Sequence, residues 1–462
     1  MFWRDRNQGQ DANTFLIQGD VRHTYSDVFH AGDALFLGIG RSTVAILCEK
    51  SFETIVAYIG ALRNDLVPLM IDAGIRPAAF SHLLQTYKPQ HIFAPNTHGK
   101  LAGYHKIQTF GNCALYCQNT QINVVLHSGL AVLLPTSGST GDPKCVRLSA
   151  KNINTCTISV CEYLRIDSRR IAISALPFHY SYGLSVLHNV LHSRGQLVLT
   201  EASVLDRIFW NILEKSGVTD FSGVPFMFEL IQRMQLSQKV LDTLVCVTQA
   251  GGHLDSKISE KLYQKFTAAN IGYYTMYGQT EASPRISYMP PEYAVEKNGS
   301  VGIPVSCGHV YIPSATSKNP EGELVYSGPN VCLGYAWSDA DLADGDVFKG
   351  ILKTGDQATI DADGFITIIG RRKRFVKLQG ISINLDHFET TLKGQGVDCI
   401  VVGKENQILI CHVGDHCDTL SDIIQNNFSI HPSSIKHFQI DTVPMTAAGK
   451  PDYMLIIKKY LS

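Results

Sequence analysis

From Thr43 onward the chain repeats one texture: a short apolar run, an amphipathic stretch, then another apolar run. "TVAILCE" reads as a strand buried on both faces, "SFETIVAYIGALRND" as a helix with apolar positions three and four apart, and "LVPLMID" as the next strand. The rhythm returns in "RIAISALPF", "SVLHNVLHSRG", "QLVLTEA" and "VLDRIFWNILEKSG". Strand, helix, strand repeats of this kind specify parallel sheets covered by helices, so the expected fold class is α/β. After Gly299 the strands come closer together ("GELVYSGPN", "QATIDADGFITIIGR"), with "DADG" as a hairpin turn, which predicts an antiparallel or barrel-like subdomain.

With 462 residues, 45% of them hydrophobic, the chain can bury at least one large core. Lys plus Arg (40) nearly balance Asp plus Glu (41), so no overall field draws it to nucleic acid or to an acidic membrane. The first residues carry arginines and aspartates and no apolar core of signal-peptide length, and no run is long enough for membrane insertion, so a cytoplasmic protein is expected. The twelve cysteines, such as Cys48, Cys246 and Cys399, stand mostly alone among apolar neighbours and read as reduced core thiols. "CHVGDHC" is the exception, with Cys411, His412, His416 and Cys417 at short spacing. Cys411 and His412 end an apparent strand and point to opposite faces, which argues against a shared zinc ion, and the sequence leaves the question open.

A different texture surrounds "LLPTSGSTGDPKCVRLSAKN", Leu133 to Asn152. A P-loop needs its lysine directly after the second glycine, whereas Asp142 and Pro143 separate Gly141 from Lys144, so this is not one. The run of Ser, Gly and Thr is still rich in backbone N–H and hydroxyl donors, the makeup of a loop that wraps polyphosphate and also of a plain linker. At "GRRKRFVKLQG", Gly370 to Gly380, five of the seven residues from Arg371 to Lys377 are basic. On composition alone this is a solvated face. It separates a long first part, residues 1–371, from a tail, residues 372–462, with the strands "CIVVGKE" and "QILICHV" and the helix "LSDIIQNNF", a small α+β domain on a hinge.

Taken together, "TSGSTGDPKCV" resembles the phosphate-loop signature of the adenylate-forming superfamily of acyl-CoA synthetases, stand-alone adenylation domains and luciferases. The likeness continues in order through "LPFHYSYG", "GVPFMFELI", "AGG" at Ala250 to Gly252, "YGQTEA" from Tyr277, "GSVGIP", "GELVYSGPNVCLGY", "LKTGD" ending at Asp356, the basic hinge segment, and "PMTAAGKPD" around Lys450. The resemblance implies a large α/β domain and a small mobile C-terminal lid. It implies an AMP-forming ligase that uses ATP and magnesium to activate a small carboxylic acid and passes the acyl group to CoA or to a carrier protein's phosphopantetheine.

Carried over residue by residue, the resemblance gives Thr136, Ser137, Ser139, Thr140 and Lys144, in a loop opened by Gly138 and Gly141, to the β- and γ-phosphates. Thr280 goes to the α-phosphate, Glu281 to the magnesium ion, and Tyr277, followed by Gly278, to the adenine face. Asp356 is expected on the ribose hydroxyls with Arg371 beside it, and Lys450 between the acyl oxygen and the α-phosphate. His179, Ala250, Gly251 and Gly252 are expected around the acid, with Lys373 at the hinge and Gly380 on the thiol tunnel. Such a set fits nucleotidyl transfer, in which negative charge accumulates on every partner and catalysis rests on positioning and positive electrostatics.

Several positions depart from the family pattern. Cys145 stands where glycine is usual, Ala150 where histidine is common, Met445 where arginine is common, and Ser382 and His387 replace arginine and glutamate, while Asn152 and Glu389 are kept. These changes bear on the thiol acceptor. Amino-acid-activating relatives place aspartate where His179 stands, so an acid without an α-ammonium is expected. Tyr180, Tyr182, Phe226 and Phe228 either line the acid pocket or pack beneath it. The competing readings are a carrier-loading amino-acid adenylation enzyme and a non-enzymatic nucleotide- or acyl-binding protein; retention of Lys450, Glu281 and Asp356 weighs against the latter.

Overall fold

Thr43–Cys48 is buried at every position and Val67–Asp72 at all but its last, and the two strands pair in parallel from Thr43 with Val67 to Cys48 with Asp72. A strand covered on both faces has no solvent side to alternate with, which is why both read as continuous apolar runs. The computed structural model describes every residue except 5–10, 100, 121, 137–143, 317–319, 372–373, 379–380, 405–406, 429–433, 447–448 and 462, and the side chains of 375, 377–378, 381–382, 417–419 and 425–426. The chain divides into two compact units, Met1–His309 with Ser327–Leu352, and Val310–Tyr326 with Lys353–Ser462. The strands just before residue 371 thus group with the tail, and the hinge expected at Lys373 lies outside the described residues.

Among the described residues the first unit holds two large sheets. One runs Gly334–Ala336, Lys144–Ser149, Leu130–Thr136, Val67–Asp72, Thr43–Cys48, His91–Pro95, Cys113–Gln118, Tyr104–Phe110. The other has a parallel centre, Gly272–Tyr277, Cys246–Gln249, Asp220–Gly223, Ile171–Ile173, Gln196–Val198 and Thr14–Gln18, with short antiparallel strands at its edges. The helices Tyr25–Leu35 and Phe52–Arg63 cross at Gly32 and Gly60, where a Cβ on Gly32 would lie 2.7 Å from the Gly60 Cα. That approach lets Val28, Phe29, Ile55 and Ile59 join a core shared with Leu184, Leu187 and Leu191 of the helix Ser181–Ser193.

His188, on that last helix, is buried in the same region, with its Nε2 2.7 Å from the Tyr58 hydroxyl. Burial pushes its imidazole down to about 3. The unfolded chain therefore takes up this proton first, and stability falls as pH drops from the ordinary histidine range toward 3, at up to about 1.4 kcal/mol per pH unit. Denaturant midpoints at pH 7 and pH 5 are expected to differ less in His188→Gln than in the wild type; an unchanged difference would remove His188 from the acid response.

The strand Ile351–Ile360, which belongs to the second unit from Lys353 on, and Ile366–Arg371 form an antiparallel hairpin within a four-stranded sheet. Its "DADG" turn is closed by Asp361, whose Oδ1 accepts from the N–H groups of Asp363 and Phe365. The tail is built on Cys399–Lys404, Gln407–Val413 and Ile435–Ile440. Strand alternation divides its apolar residues between two faces. Val401, Ile408 and Ile410 pack with Phe388, Leu392 and Leu420, while Val402, Leu409 and Cys411 pack with Ile456. Cys411 and His412 thus serve opposite faces. Among the described residues no three His, Cys, Asp or Glu side chains form a group able to hold a metal ion, and the Cys417 side chain is outside that set.

The basic run is not simply a solvated face. The Arg374 side chain is 13% exposed, with Nε 2.7 Å from Asp386 Oδ1, an Nη 3.1 Å from the buried Glu389, another on the Val401 carbonyl, and its guanidinium 3.9 Å above the Tyr453 ring. Glu389, which the family pattern keeps, also accepts from the Val401 N–H and pairs with Lys393. Among the described residues no helix is long and apolar enough to cross a membrane.

Candidate active site

The acid side is built on the segment leading into the helix Ser181–Ser193. Gly251 sits at φ +94°, and a Cβ there would come within 2.4 Å of the Tyr180 hydroxyl, so the Tyr180 phenol reaches the "AGG" backbone only because no side chain intervenes. Ala250 is buried, and the Gly252 carbonyl accepts from the Gln249 amide at 3.2 Å. His179 lies in the same segment, its Nδ1 3.9 Å from Asp72 Oδ1 and without a hydrogen-bond partner among the described residues. Burial holds its imidazole below the ordinary range against the opposing pull of Asp72, so the ring is neutral at pH 7. Of the four aromatics, Tyr182 and Phe228 are core residues, Tyr182 donating to the Thr248 carbonyl at 2.9 Å; Phe226 is 40% exposed, and Tyr180 faces the glycines.

On the nucleotide side, Gly272–Tyr277 ends at Gly278, where a Cβ would overlap the Pro284 carbonyl oxygen at 1.9 Å. The chain therefore doubles back at once, through one 3₁₀ turn at Thr280–Ala282. Asn330 fixes this turn: its Nδ2 donates to the carbonyls of Ala282 and Arg285 at 2.8 and 2.9 Å, and its own carbonyl accepts from the Ser283 hydroxyl at 2.7 Å. Thr280 Oγ1 is thereby placed 2.9 Å from Ser181 Oγ, and Glu281 Oε1 accepts from the Tyr335 hydroxyl at 2.7 Å.

Tyr335 belongs to Gly334–Ala336, which pairs antiparallel with Cys145 to Arg147. Lys144 begins that neighbouring strand, and its Nζ rests 3.2 Å from the centroid of the Tyr335 ring. Thr136 Oγ1 donates weakly, at 3.4 Å, to the Lys144 carbonyl. Ser137, Gly138, Ser139, Thr140 and Gly141 lie outside the described residues. Asn152 has a structural task. Ser149 and Asn152 make a reciprocal cap on the helix Ala150–Leu164, and the Asn152 amide donates to the Pro329 and Val331 carbonyls, tying down the segment that carries Tyr335. Cys145 is fully buried beneath the strand.

In the second unit Asp356 is 2% exposed and directly opposite Arg371 across the hairpin, with Oδ1 3.3 Å from the Arg371 Nε. Lys450 stands on a short turn. The Thr446 N–H donates to its carbonyl at 2.7 Å, its own N–H donates to Thr446 Oγ1 at 3.2 Å, and Met445 and Pro451 bridge antiparallel. Lys373 and Gly380 are outside the described residues.

A family model described as AMP-binding enzyme matches residues 3–336. The chain belongs to the AMP-binding enzyme family. This AMP-binding enzyme is similar to the 2-succinylbenzoate–CoA ligase of Bacillus licheniformis, with 26% identity over 94% of each chain, and to the feruloyl-CoA synthase of an Amycolatopsis species, with 29% identity over 59% of this chain and 56% of the relative. Its fold matches that of O-succinylbenzoate coenzyme A synthetase from Bacillus subtilis in complex with ATP and magnesium ion, with a TM-score of 0.77 and 21% identity over 97% of this chain and 98% of the other. The large α/β domain and smaller C-terminal domain expected from the sequence are the architecture of this family.

Three residues of the candidate site escaped the sequence reading. Asp72 ends a strand whose neighbours are set by parallel pairing, and Ser181 is one of several hydroxyls in its segment. Tyr335 ends a motif that sequence alone could only match as a string, and only strand pairing puts it beside Lys144.

Proposed function

We propose that this AMP-binding enzyme is an acid–thiol ligase that uses ATP. The carboxylate of a small acid attacks the α-phosphorus, the bond to the bridging oxygen breaks, and pyrophosphate leaves. A thiol sulfur then attacks the acyl carbon of the acyl adenylate, loses its proton, and expels AMP. The relatives named above are a CoA ligase and a CoA synthase, which supports CoA as the thiol. The observation that carries the reading is the meeting of Lys144 and Glu281 on Tyr335, with Thr280 of the same turn beside Ser181, which puts a cation, a carboxylate and hydroxyl groups around one turn.

In that grouping Thr280 and Lys144 bind phosphate oxygens, and Glu281 offers an ion one hard oxygen ligand. With no cage of three or more such ligands among the described residues, this donor set fits magnesium, which keeps waters and substrate phosphates as its remaining ligands. The ion's chemistry is to offset the charge that builds up on the phosphates. In the second unit Asp356, held by Arg371, accepts from the ribose hydroxyls, and Lys450 supplies the ammonium between acyl oxygen and α-phosphate.

Neutral His179 favours an acid without an ammonium group. Asp72 favours a second reading, because it puts a carboxylate beside the same segment and could pair with an amino acid's ammonium. Hydroxamate formation across fatty, aromatic and amino acids separates the two. Non-amino acids are expected to react at least about tenfold faster, a modest specificity difference for one ion pair. Preference for an amino acid that disappears in Asp72→Asn would establish the second reading instead. Repeating the assay with CoA and with a holo carrier protein identifies the acceptor.

A further inference from the structure

We propose that Tyr335 is a positioning residue for the nucleotide site, holding the Lys144 ammonium on its ring face and orienting the Glu281 carboxylate through its hydroxyl. The inference rests on the roles given above to Lys144 and Glu281. One side chain meets both groups: Nζ of Lys144 is 3.2 Å from the ring centroid, and the hydroxyl donates to Glu281 Oε1 at 2.7 Å. The ring is held from other directions as well. Phe348 meets it edge-on at 5.3 Å, and Trp337, 6.3 Å away, adds a second aromatic face 5.5 Å from Nζ.

The backbone beneath it is also fixed. Arg147, fully buried, donates from Nε to the Tyr335 carbonyl at 3.1 Å and from its other nitrogens to the carbonyls of Leu333, Asp344 and Gly345. The Cys332 N–H donates to the Glu281 carbonyl at 2.8 Å, so the strand carrying Tyr335 and the turn carrying Glu281 move together.

Each half of the contact has its own physical effect. A hydrogen bond to a metal-binding carboxylate fixes which oxygen is presented and along which line, and loss of such partners costs about 10- to 100-fold in metal affinity or activity. An ammonium over an aromatic face keeps its charge while losing freedom of direction, so the cation is delivered to one place. Tyr335 thereby sets the distance between the positive and negative groups that the triphosphate must satisfy at once. A tyrosine that served only as packing would be replaceable by any ring of the same size.

The test separates these uses. Binding of Mn²⁺ in the presence of the α,β-methylene analogue of ATP is measured by electron paramagnetic resonance for the wild type and for Tyr335→Phe, Tyr335→Leu and Glu281→Gln, with thermal unfolding alongside. Tyr335→Phe keeps the ring and is expected to unfold near the wild-type temperature, to bind Mn²⁺ about tenfold more weakly, and to retain affinity for the analogue without metal. Tyr335→Leu is expected to lose that metal-free affinity as well. Tyr335→Phe that binds Mn²⁺ like the wild type, while Glu281→Gln binds it more weakly, overturns the role of Tyr335 and leaves the proposed function standing. Unaltered Mn²⁺ binding in Glu281→Gln would overturn the assignment of Glu281 itself, and the inference with it.

Discussion

Lys450→Ala is expected to form acyl adenylate at least about a hundred- to a thousandfold more slowly than the wild type, the usual loss when a single group aimed at developing charge is removed. The carboxylate and the α-phosphate are both negative, and they repel most strongly as they converge. An ammonium between them gains most at that moment, so its loss lowers turnover far more than ATP affinity. The turn is built to present such a group. Thr446 bonds to Lys450 through both backbone and hydroxyl, Gly449 takes φ +69°, and the Asp452 N–H closes on the Pro444 carbonyl at 2.8 Å. The measurement is ATP–pyrophosphate exchange with the best acid from the screen, together with thioester formation from chemically prepared acyl adenylate and CoA. The first is expected to vanish and the second to stay within severalfold of the wild type. Exchange at the wild-type rate would take Lys450 out of the chemistry.

The largest stability effect is expected at Arg374. Arg374→Ala leaves Asp386 and the buried Glu389 without their shared guanidinium, and breaking a buried pair from one side costs about 3–5 kcal/mol. The loss is placed toward the lower end, because Glu389 keeps Lys393 at 2.9 Å and the Val401 N–H. Tyr453, whose ring lies beneath Arg374 and whose hydroxyl is 3.3 Å from Glu389, opens the helix Tyr453–Tyr460 just after the Lys450 turn. The substitution should therefore lower activity as well as the unfolding midpoint of the second unit. Urea unfolding of the full chain, compared with Glu389→Gln and the double variant, measures the coupling. A change in unfolding free energy below about 0.5 kcal/mol, the range of ordinary surface substitutions, would show that the network carries little.

The readability of these features differs for physical reasons. "TVAILC" and "VPLMID" were legible because two-sided burial leaves an unbroken apolar record, and "DADG" because its turn needs Asp361 and Gly364 locally. Arg374 was legible only as one of several cations. Its partner Glu389 lies on a helix farther along, and the composition of a basic run does not say which cation turns inward. Asp72 and His179 meet because parallel pairing and a helix entry bring remote segments together, and nothing local to either records the other. Lys144 and Glu281 could be named from motif order, but the aromatic ring between them could not, since strand pairing across a long stretch of chain supplies it.

The amide of Asn330 holds the turn after Tyr277 by that turn's own Ala282 and Arg285 carbonyls, and the amide of Asn152 holds the segment leading to Tyr335 by the Pro329 and Val331 carbonyls. Neither tether passes through Tyr180, His179 or the "AGG" glycines. Under the proposed roles, the two halves then meet at the Ser181 hydroxyl, 2.9 Å from Thr280 Oγ1, so a library confined to Tyr180 and His179 varies the cargo side while leaving both amide tethers and that meeting point unchanged.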